Sequence, residues 1–207
     1  MCLTQDGAGL SHSEQARRLC EAGARFIQLR MKGAGRELWL REATLAAGFC
    51  RAHGALLVVN DSVDVALESG ANGVHLGARD GDWSEARGRL GPDLLVGGTV
   101  NSAGDARNAV AAGCLDYVGV GPLRFTATKQ HLSPVLGIEG VARLVEALGD
   151  LPAWVIGGVV PADLAAVHRA GAAGVAVSSH LYRGGRIDEN LRALAEAWPS
   201  AAPATFP

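Results

Sequence analysis

Gln28, Arg30 and Lys32 lie in one short segment and have the types and spacing suited to binding an anion. Their alternate positions place all three on one face of an extended chain. Two acids, Asp61 and Asp80, occur later, each shortly after a short apolar run. Arginine and lysine neutralise phosphate oxygens, and two carboxylates suit Mg²⁺ when water and substrate phosphate complete its ligands. These five residues therefore indicate a site for a phosphorylated ligand and a divalent cation.

Further polar residues and glycines follow similar runs and would add donors for phosphate: Asn60, Thr99, Thr126, Thr128, Lys129, Gly157, Gly158, Ser178 and Ser179. Hydroxyls and backbone N–H groups in glycine turns both bind phosphate. Each residue also has a simpler explanation when it is taken alone. Asp61 could cap a helix beginning near Ser62, and the serine pair could cap another. His75, inside an apolar run, is predicted to be a core histidine with satisfied hydrogen bonds rather than a ligand or base.

The elements that would position these residues alternate regularly along the chain. Short β-rich runs predict eight strands: Cys2 to Gln5, Arg25 to Arg30, Leu56 to Asn60, Gly73 to Leu76, Leu94 to Gly97, Tyr117 to Val120, Ala153 to Ile156 and Gly174 to Ser178. Longer alanine- and leucine-rich stretches predict one helix after each strand: Ser11 to Ala22, Glu37 to His53, Val63 to Ser69, Ser84 to Leu90, Ala103 to Ala112, Gly137 to Leu148, Pro161 to Arg169 and Glu189 to Trp198.

This eightfold alternation predicts an α/β protein with a single (β/α)8 TIM barrel, and an open doubly wound sheet is the alternative. We expect the barrel to occupy residues 1–198 and a flexible tail to occupy 199–207. Several helices end in a glycine that suits a left-handed C-cap. In a barrel of this kind the carboxyl ends of the strands carry the active site, which is where the polar residues named above fall.

The composition excludes several classes of protein. A chain of 207 residues with 48% hydrophobic residues can bury a sizeable core. A net charge of -2 argues against nucleic acid as a partner. The longest apolar run, Ala55 to Val59, is far shorter than the roughly 20 residues that a membrane helix needs. The four scattered cysteines predict neither a zinc site nor a disulfide scaffold, and the N-terminus shows no secretory signal, so we expect a cytoplasmic protein.

Five motifs, taken in their order along the chain, resemble those of the thiamine phosphate synthase family, within the superfamily that also contains the thiazole tautomerases. They are Gln28-Leu29-Arg30-Met31-Lys32, Val59-Asn60-Asp61, Gly73-Val74-His75-Leu76-Gly77 with Asp80, Gly119-Val120-Gly121-Pro122 leading to Thr126-Ala127-Thr128-Lys129, and Ile156-Gly157-Gly158. The resemblance implies a transferase that joins hydroxymethylpyrimidine diphosphate to a thiazole phosphate and releases pyrophosphate. It also implies a dissociative mechanism, in which diphosphate departs before the thiazole nitrogen attacks.

The resemblance also implies a role for each matching residue. The pyrimidine diphosphate would be bound by Gln28, Arg30, Lys32 and Asn60, and Mg²⁺ by Asp61 and Asp80. Thr99 would replace a serine of the family and keep its hydroxyl. The thiazole phosphate would be bound by Thr126, Thr128, Gly158, Ser178 and Ser179. Lys129 would face the diphosphate, so that the catalytic cations are Arg30, Lys32 and Lys129.

Four positions depart from the family pattern: Met31, Ala78, Phe125 and Ser178. They affect the expected shape of the pocket and leave the proposed metal ligands and cations in place. Three other functions stay open: a thiazole tautomerase, a Schiff-base aldolase with Lys129 as nucleophile, and a non-catalytic relative that binds a phosphate ligand. Apolar outer helices are compatible with a homodimer. The length and composition of the loop from Leu123 to Leu136 suggest a lid.

Overall fold

The computed structural model describes residues 1–77, 80–125 and 134–199. One parallel sheet runs through these residues with its strands in chain order: β1 Cys2–Leu3, β2 Phe26–Leu29, β3 Leu56–Asn60, β4 Gly73–Leu76, β5 Leu95–Val100, β6 Tyr117–Val120, β7 Ala153–Ile156 and β8 Gly174–Ala176. The first and last strands of this order meet where Cys2 pairs in parallel with Val177. The predicted (β/α)8 barrel is therefore confirmed, and the alternative of an open doubly wound sheet is wrong.

A helix follows each strand: α1 His12–Glu21, α2 Arg36–Ala52, α3 Val63–Ser69, α4 Trp83–Leu90, α5 Ala103–Ala112, α6 Gly137–Leu148, α7 Leu164–Arg169 and α8 Ile187–Ala197. Short 3-10 turns precede α7 and α8. Serine or aspartate side chains cap the first turns of α1, α3, α4 and α5. Gly70 and Gly113 end α3 and α5 in the left-handed conformation, as the sequence predicts.

The strand boundaries differ from the prediction most at the ends of β1, β8 and β5, and by one residue at both ends of β2 and at the start of β5. β1 ends at Leu3 and β8 ends at Ala176, so Ser178 lies in a loop. β5 continues to Val100, so Thr99 lies inside the strand and not after it. The sequence predicts the end of β5 at Gly97. There a Cβ atom would lie 2.2 Å from Cζ of Tyr117, so the glycine makes room for the tyrosine ring and the strand continues.

Large side chains fill the barrel below the site. Phe26, Val58, Leu95 and Tyr117 form a cluster inside the barrel, and Trp154 packs against it. The ring of Phe26 meets the rings of Tyr117 and Trp154 edge to face, with centroids 5.5 and 5.4 Å apart. Four of these residues lie at or near the first residue of their strand, so this plug occupies the amino-terminal end of the barrel. Space for a ligand consequently lies at the opposite end.

Two expectations about the chain as a whole concern its helices and cysteines. Among the residues that the structure describes, no helix combines the length and apolar character that crossing a membrane requires.

All four cysteines are free thiols, and Cys2, Cys20 and Cys50 are buried. The sulfur atoms of Cys20 and Cys50 lie 3.8 Å apart between α1 and α2. The four cysteines are therefore unpaired in the structure, and Cys114 is only half-buried.

Candidate active site

Asp61, directly after β3, is the centre of a small cluster of charges. Its φ is +68°, an unusual backbone conformation for a residue with a side chain. Its carboxylate contacts the ammonium group of Lys32. Burial raises the pKa of Asp61; Lys32 lowers it and Asp80 raises it, and the raising influences prevail. Ser62 caps α3, so the helix-cap explanation of Asp61 is wrong, and its strained backbone is typical of a functional position.

Asp80 is held close to the end of β4 by the backbone. The Gly77 N–H donates to Oδ2 of Asp80 at 2.8 Å. A Cβ atom on Gly77 would lie 2.6 Å from the same oxygen and 4.0 Å from Oγ1 of Thr99, so glycine leaves room for this position of the Asp80 carboxylate. In the described part of the chain, no cluster of three or more His, Cys, Asp or Glu side chains is arranged to hold a metal. Asp61 and Asp80 thus form a pair of hard oxygen donors, which fits Mg²⁺ with water and substrate oxygens better than a closed metal site.

A cavity with an empty volume of about 550 Å³, including its open mouth, lies at the same end of the barrel, where β6, β7, β8 and β1 end; its lining does not include Lys32, Asp61 or Asp80. Its polar lining comes from Arg30, Ser178 and Ser179, together with the backbone of Gly157 and Gly158. Its apolar lining includes Leu3, Pro122, Ile156, Val159, Ala176 and Val177. The cavity therefore offers a cation and hydroxyl groups beside an apolar wall, which suits an organic ring that carries a phosphate.

The turn after β7 depends on two glycines with positive φ, 103° at Gly157 and 68° at Gly158. Arg124 fixes this turn: its Nη1 donates to the Gly158 carbonyl at 2.9 Å, and both of its Nη atoms donate to Asp163 at 2.6 Å. Burial raises the pKa of Asp163, but Arg124 and the Val160 N–H lower it by more, so the pKa lies below the ordinary value of aspartate. Arg124 thus connects the loop after β6 to the glycine turn by a hydrogen bond and to the 3-10 turn before α7 by a bidentate ion pair.

A buried chain of hydrogen bonds reaches Thr99 from inside the barrel. The hydroxyl of Tyr117 lies 3.3 Å from Nδ1 of His75, and Nε2 of His75 lies 3.0 Å from Oγ1 of Thr99. Burial raises the pKa of Tyr117, which keeps the phenol protonated. Both ring nitrogens of His75 have partners and the residue is 8% exposed. The prediction of a satisfied core histidine is confirmed.

The predicted site residues occupy three parts of this end of the barrel. Lys32, Asp61, Asp80 and Thr99 lie around the acids, and Asn60 is the buried last residue of β3. The cavity is lined by Arg30, Gly158, Ser178 and Ser179. Gln28 lies deeper, inside β2, where it is buried next to Tyr117 and Met1. Thr126, Thr128 and Lys129 lie outside the described residues, as do Ala78, most of the suggested lid and all of the suggested tail except Pro199.

Sequence reasoning missed two groups that support the site. Arg124 and Asp163 are far apart in the chain, and no motif joins them. Thr4, Asp6 and His12 surround the end of β1, where the sequence analysis named no residue. A signal was available for the second group, because Thr4 and Asp6 alternate after a short β-rich run just as Arg30 and Lys32 do.

Comparisons with known proteins identify the family of this chain. The thiamine monophosphate synthase family profile matches residues 2–181. A thiamine-phosphate synthase of Phocaeicola vulgatus is 41% identical over 177 residues, covering 84% of this chain and 85% of that protein. One of Myxococcus xanthus is 44% identical over 193 residues, covering 91% and 86%. The solved structure of thiamine phosphate pyrophosphorylase from Pyrococcus furiosus superposes with a TM-score of 0.84 at 30% identity, covering 95% and 93%. The chain belongs to the thiamine monophosphate synthase family.

Proposed function

We propose that the protein is a thiamine-phosphate synthase that joins hydroxymethylpyrimidine diphosphate to a thiazole phosphate and releases pyrophosphate. The observation that carries the proposal is the cluster of the Asp61 carboxylate with Asp80 and Lys32, at the same end of the barrel as a cavity lined by Arg30. A site of this kind attracts a diphosphate together with a divalent cation. Membership of the family supports the same reaction and its class, a transferase.

Mg²⁺ is the cofactor that suits the two acids. Asp61 and Asp80 would supply hard oxygen ligands; burial and the neighbouring Asp80 raise the pKa of Asp61, and a bound cation would favour its charged form. When bound, Mg²⁺ supplies positive charge to the oxygens of a departing diphosphate. A cytoplasmic location and a homodimer stay predictions of the sequence.

The protein's own residues position the reactants and stabilise charge. Arg30 and Lys32 bind the diphosphate and stabilise the negative charge that grows on it as the C–O bond to the pyrimidine methylene breaks. The Thr99 hydroxyl, hydrogen-bonded to His75, lies near Asp80 and is available to the same anion. Gly158, Ser178 and Ser179 hold the thiazole phosphate in the cavity, so that the thiazole nitrogen faces the electrophilic carbon. No covalent intermediate with a side chain is required.

The proposal is tested by measuring pyrophosphate release from hydroxymethylpyrimidine diphosphate, with and without thiazole phosphate and Mg²⁺. We expect release to require Mg²⁺ and to collapse in Asp61→Ala and in Lys129→Ala. Asp64→Ala is the matched control, because this carboxylate lies three residues from Asp61 but is exposed and paired with Arg89. A wild-type protein that binds the diphosphate and releases no pyrophosphate would contradict the proposal and leave a binding protein.

A further inference from the structure

A hydrogen-bonded group at the carboxyl end of β1 has no role in the proposed reaction as derived so far. Thr4 is fully buried, and its Oγ1 accepts the backbone N–H of Arg30 at 2.9 Å. Both carboxylate oxygens of Asp6 lie 3.4 Å from the backbone nitrogen of Lys32. His12 joins the two: Nδ1 lies 2.7 Å from Oγ1 of Thr4, and Nε2 lies 3.1 Å from Oδ1 of Asp6. Two side chains, joined to each other by His12, thus reach the backbone of the two cationic residues.

We propose that Thr4, His12 and Asp6 are positioning residues that hold the segment from Arg30 to Lys32 in the conformation that binds an anion. The inference rests on the proposed function, because it takes Arg30 and Lys32 to bind the diphosphate. Two long cationic side chains lose conformational entropy when they bind a ligand. A backbone fixed beneath both of them lowers this cost and keeps the two charges at a constant separation.

The chemistry of the three side chains determines the direction of each hydrogen bond. A carboxylate only accepts, so Asp6 selects the imidazole tautomer that carries hydrogen on Nε2 of His12. In the neutral ring Nδ1 is then an acceptor, and the Thr4 hydroxyl donates to it. The oxygen of Thr4 keeps a lone pair for the Arg30 N–H. Every polar hydrogen in the series therefore has one acceptor, and removal of the Thr4 hydroxyl breaks the series at its centre.

The amino-terminal turn of α1 keeps the group in place. His12 is the first residue of α1, and the Ser11 side chain caps the helix by accepting the Glu14 N–H. The fully buried Gln15 accepts the Gln5 N–H at 2.8 Å and donates to the Gln5 carbonyl at 2.9 Å. Both ends of the short loop between β1 and α1 are therefore attached to the helix, and Thr4 and Asp6 are held on either side of Gln5.

The test measures the binding of inorganic pyrophosphate in the presence of Mg²⁺ by titration calorimetry, which does not depend on turnover. Thr4→Val keeps the shape of the side chain and removes the hydroxyl, so we expect affinity to fall about tenfold, the effect of one buried hydrogen-bond partner. Thr4→Ser should restore affinity to within about twofold of wild type. Thr44→Val is the matched control, since the Thr44 hydroxyl donates only within α2, to the Leu40 carbonyl.

Nitrogen NMR of His12 provides a second readout, which simple loss of stability would not imitate. We expect hydrogen on Nε2 in the wild-type protein, and in Thr4→Val we expect a changed Nδ1 shift together with faster exchange of the Arg30 amide. Should Thr4→Val not fold, Asp6→Ala tests the other arm, because Asp6 is half-exposed; its loss should weaken pyrophosphate binding about fivefold.

The inference is overturned if folded Thr4→Val binds pyrophosphate as wild type does, or if Thr4→Ser binds as weakly as Thr4→Val. In the Asp6→Ala arm, unchanged affinity overturns it. Failure of the proposed function gives a different result: the wild-type protein would release no pyrophosphate from the pyrimidine substrate, while the order of affinities among the variants would still hold.

Discussion

Replacing Asp61 by Asn should make the protein more stable and less active. Asn tolerates a positive φ as Asp does, so the substitution keeps the backbone conformation and removes only the charge. Burial and the neighbouring Asp80 raise the pKa of Asp61 despite Lys32, and the side chain is 17% exposed, so solvent does little to screen these effects. Neutralising a functional charge of this kind contributes about 1 kcal/mol to the free energy of unfolding. For 207 residues, this corresponds to a rise of about 2–4 °C in the melting temperature at pH 7.

The pH dependence of this difference identifies its origin. Since the folded pKa of Asp61 lies above the unfolded value, the folded protein binds more protons in the interval between the two. Wild-type stability therefore falls as pH rises through that interval, and the penalty is absent below the ordinary pKa of aspartate, about 3.9. The advantage of Asp61→Asn should accordingly disappear on acidification to about pH 3, as followed by calorimetry. Asp64→Asn is the control, because Arg89 lowers the pKa of Asp64 and the variant should gain no stability at pH 7.

The activity of the same variant completes the test. We expect pyrophosphate release to fall by more than about 100-fold, because a proposed metal ligand is lost. Equal melting temperatures of wild type and Asp61→Asn at pH 7 would refute the reasoning, and so would a difference that persists unchanged to pH 3.

Two further substitutions test the glycines that shape the barrel. Gly158→Ala should lower the free energy of unfolding in urea by about 2 kcal/mol and raise KM for thiazole phosphate, because the new Cβ would lie 2.6 Å from Cγ of Arg124 at a φ of +68°. Gly185→Ala is the control: its φ is +71° and no heavy atom lies within 4 Å of a Cβ there, so it should lose stability and keep the wild-type KM. An equal KM for the two variants would contradict a role of this turn in binding. Gly97→Ala should lower the free energy of unfolding by about 3 kcal/mol, because its methyl group meets the ring of Tyr117. In the same assay, the double variant Gly97→Ala with Tyr117→Ala should lose less than the sum of the two single variants. Additive losses would show that the ring is not the obstacle.

The fold could be predicted from the sequence because each strand is a short β-rich run followed by a helix. The boundaries were wrong where packing overrides local propensity, as at Gly97, where glycine normally weakens a strand but here accommodates a tyrosine from β6. Asp61 and Asp80 could be identified for a similar reason, since each comes soon after a predictable strand: Asp61 directly after β3, and Asp80 four residues after β4. Both acids could therefore be identified as site residues from the residues that precede them in the chain.

The supporting groups could not be predicted because they depend on which strands become neighbours. Thr4 and Asp6 reach Arg30 and Lys32 only since β1 lies beside β2 in the closed barrel. His12 has no spacing to another histidine that would identify it, and its partners are known only once α1 is placed. The left-handed conformation of Asp61 also cannot be predicted from the sequence. By its type and position Asp61 could itself cap α3, whereas in the structure the next residue, Ser62, is the cap.

The pairing of Cys2 with Val177 has a consequence for the order in which the protein can be made. A ribosome adding about 5–20 residues per second needs about 10–35 s to pass from one of these residues to the other. Throughout that time β1 can pair with β2 alone, and its second edge presents unpaired backbone groups to other nascent chains. With only two residues, β1 offers a short template for such mispairing. The small size of the first strand thus limits the exposure to aggregation that a barrel incurs when its last strand is synthesised so long after its first.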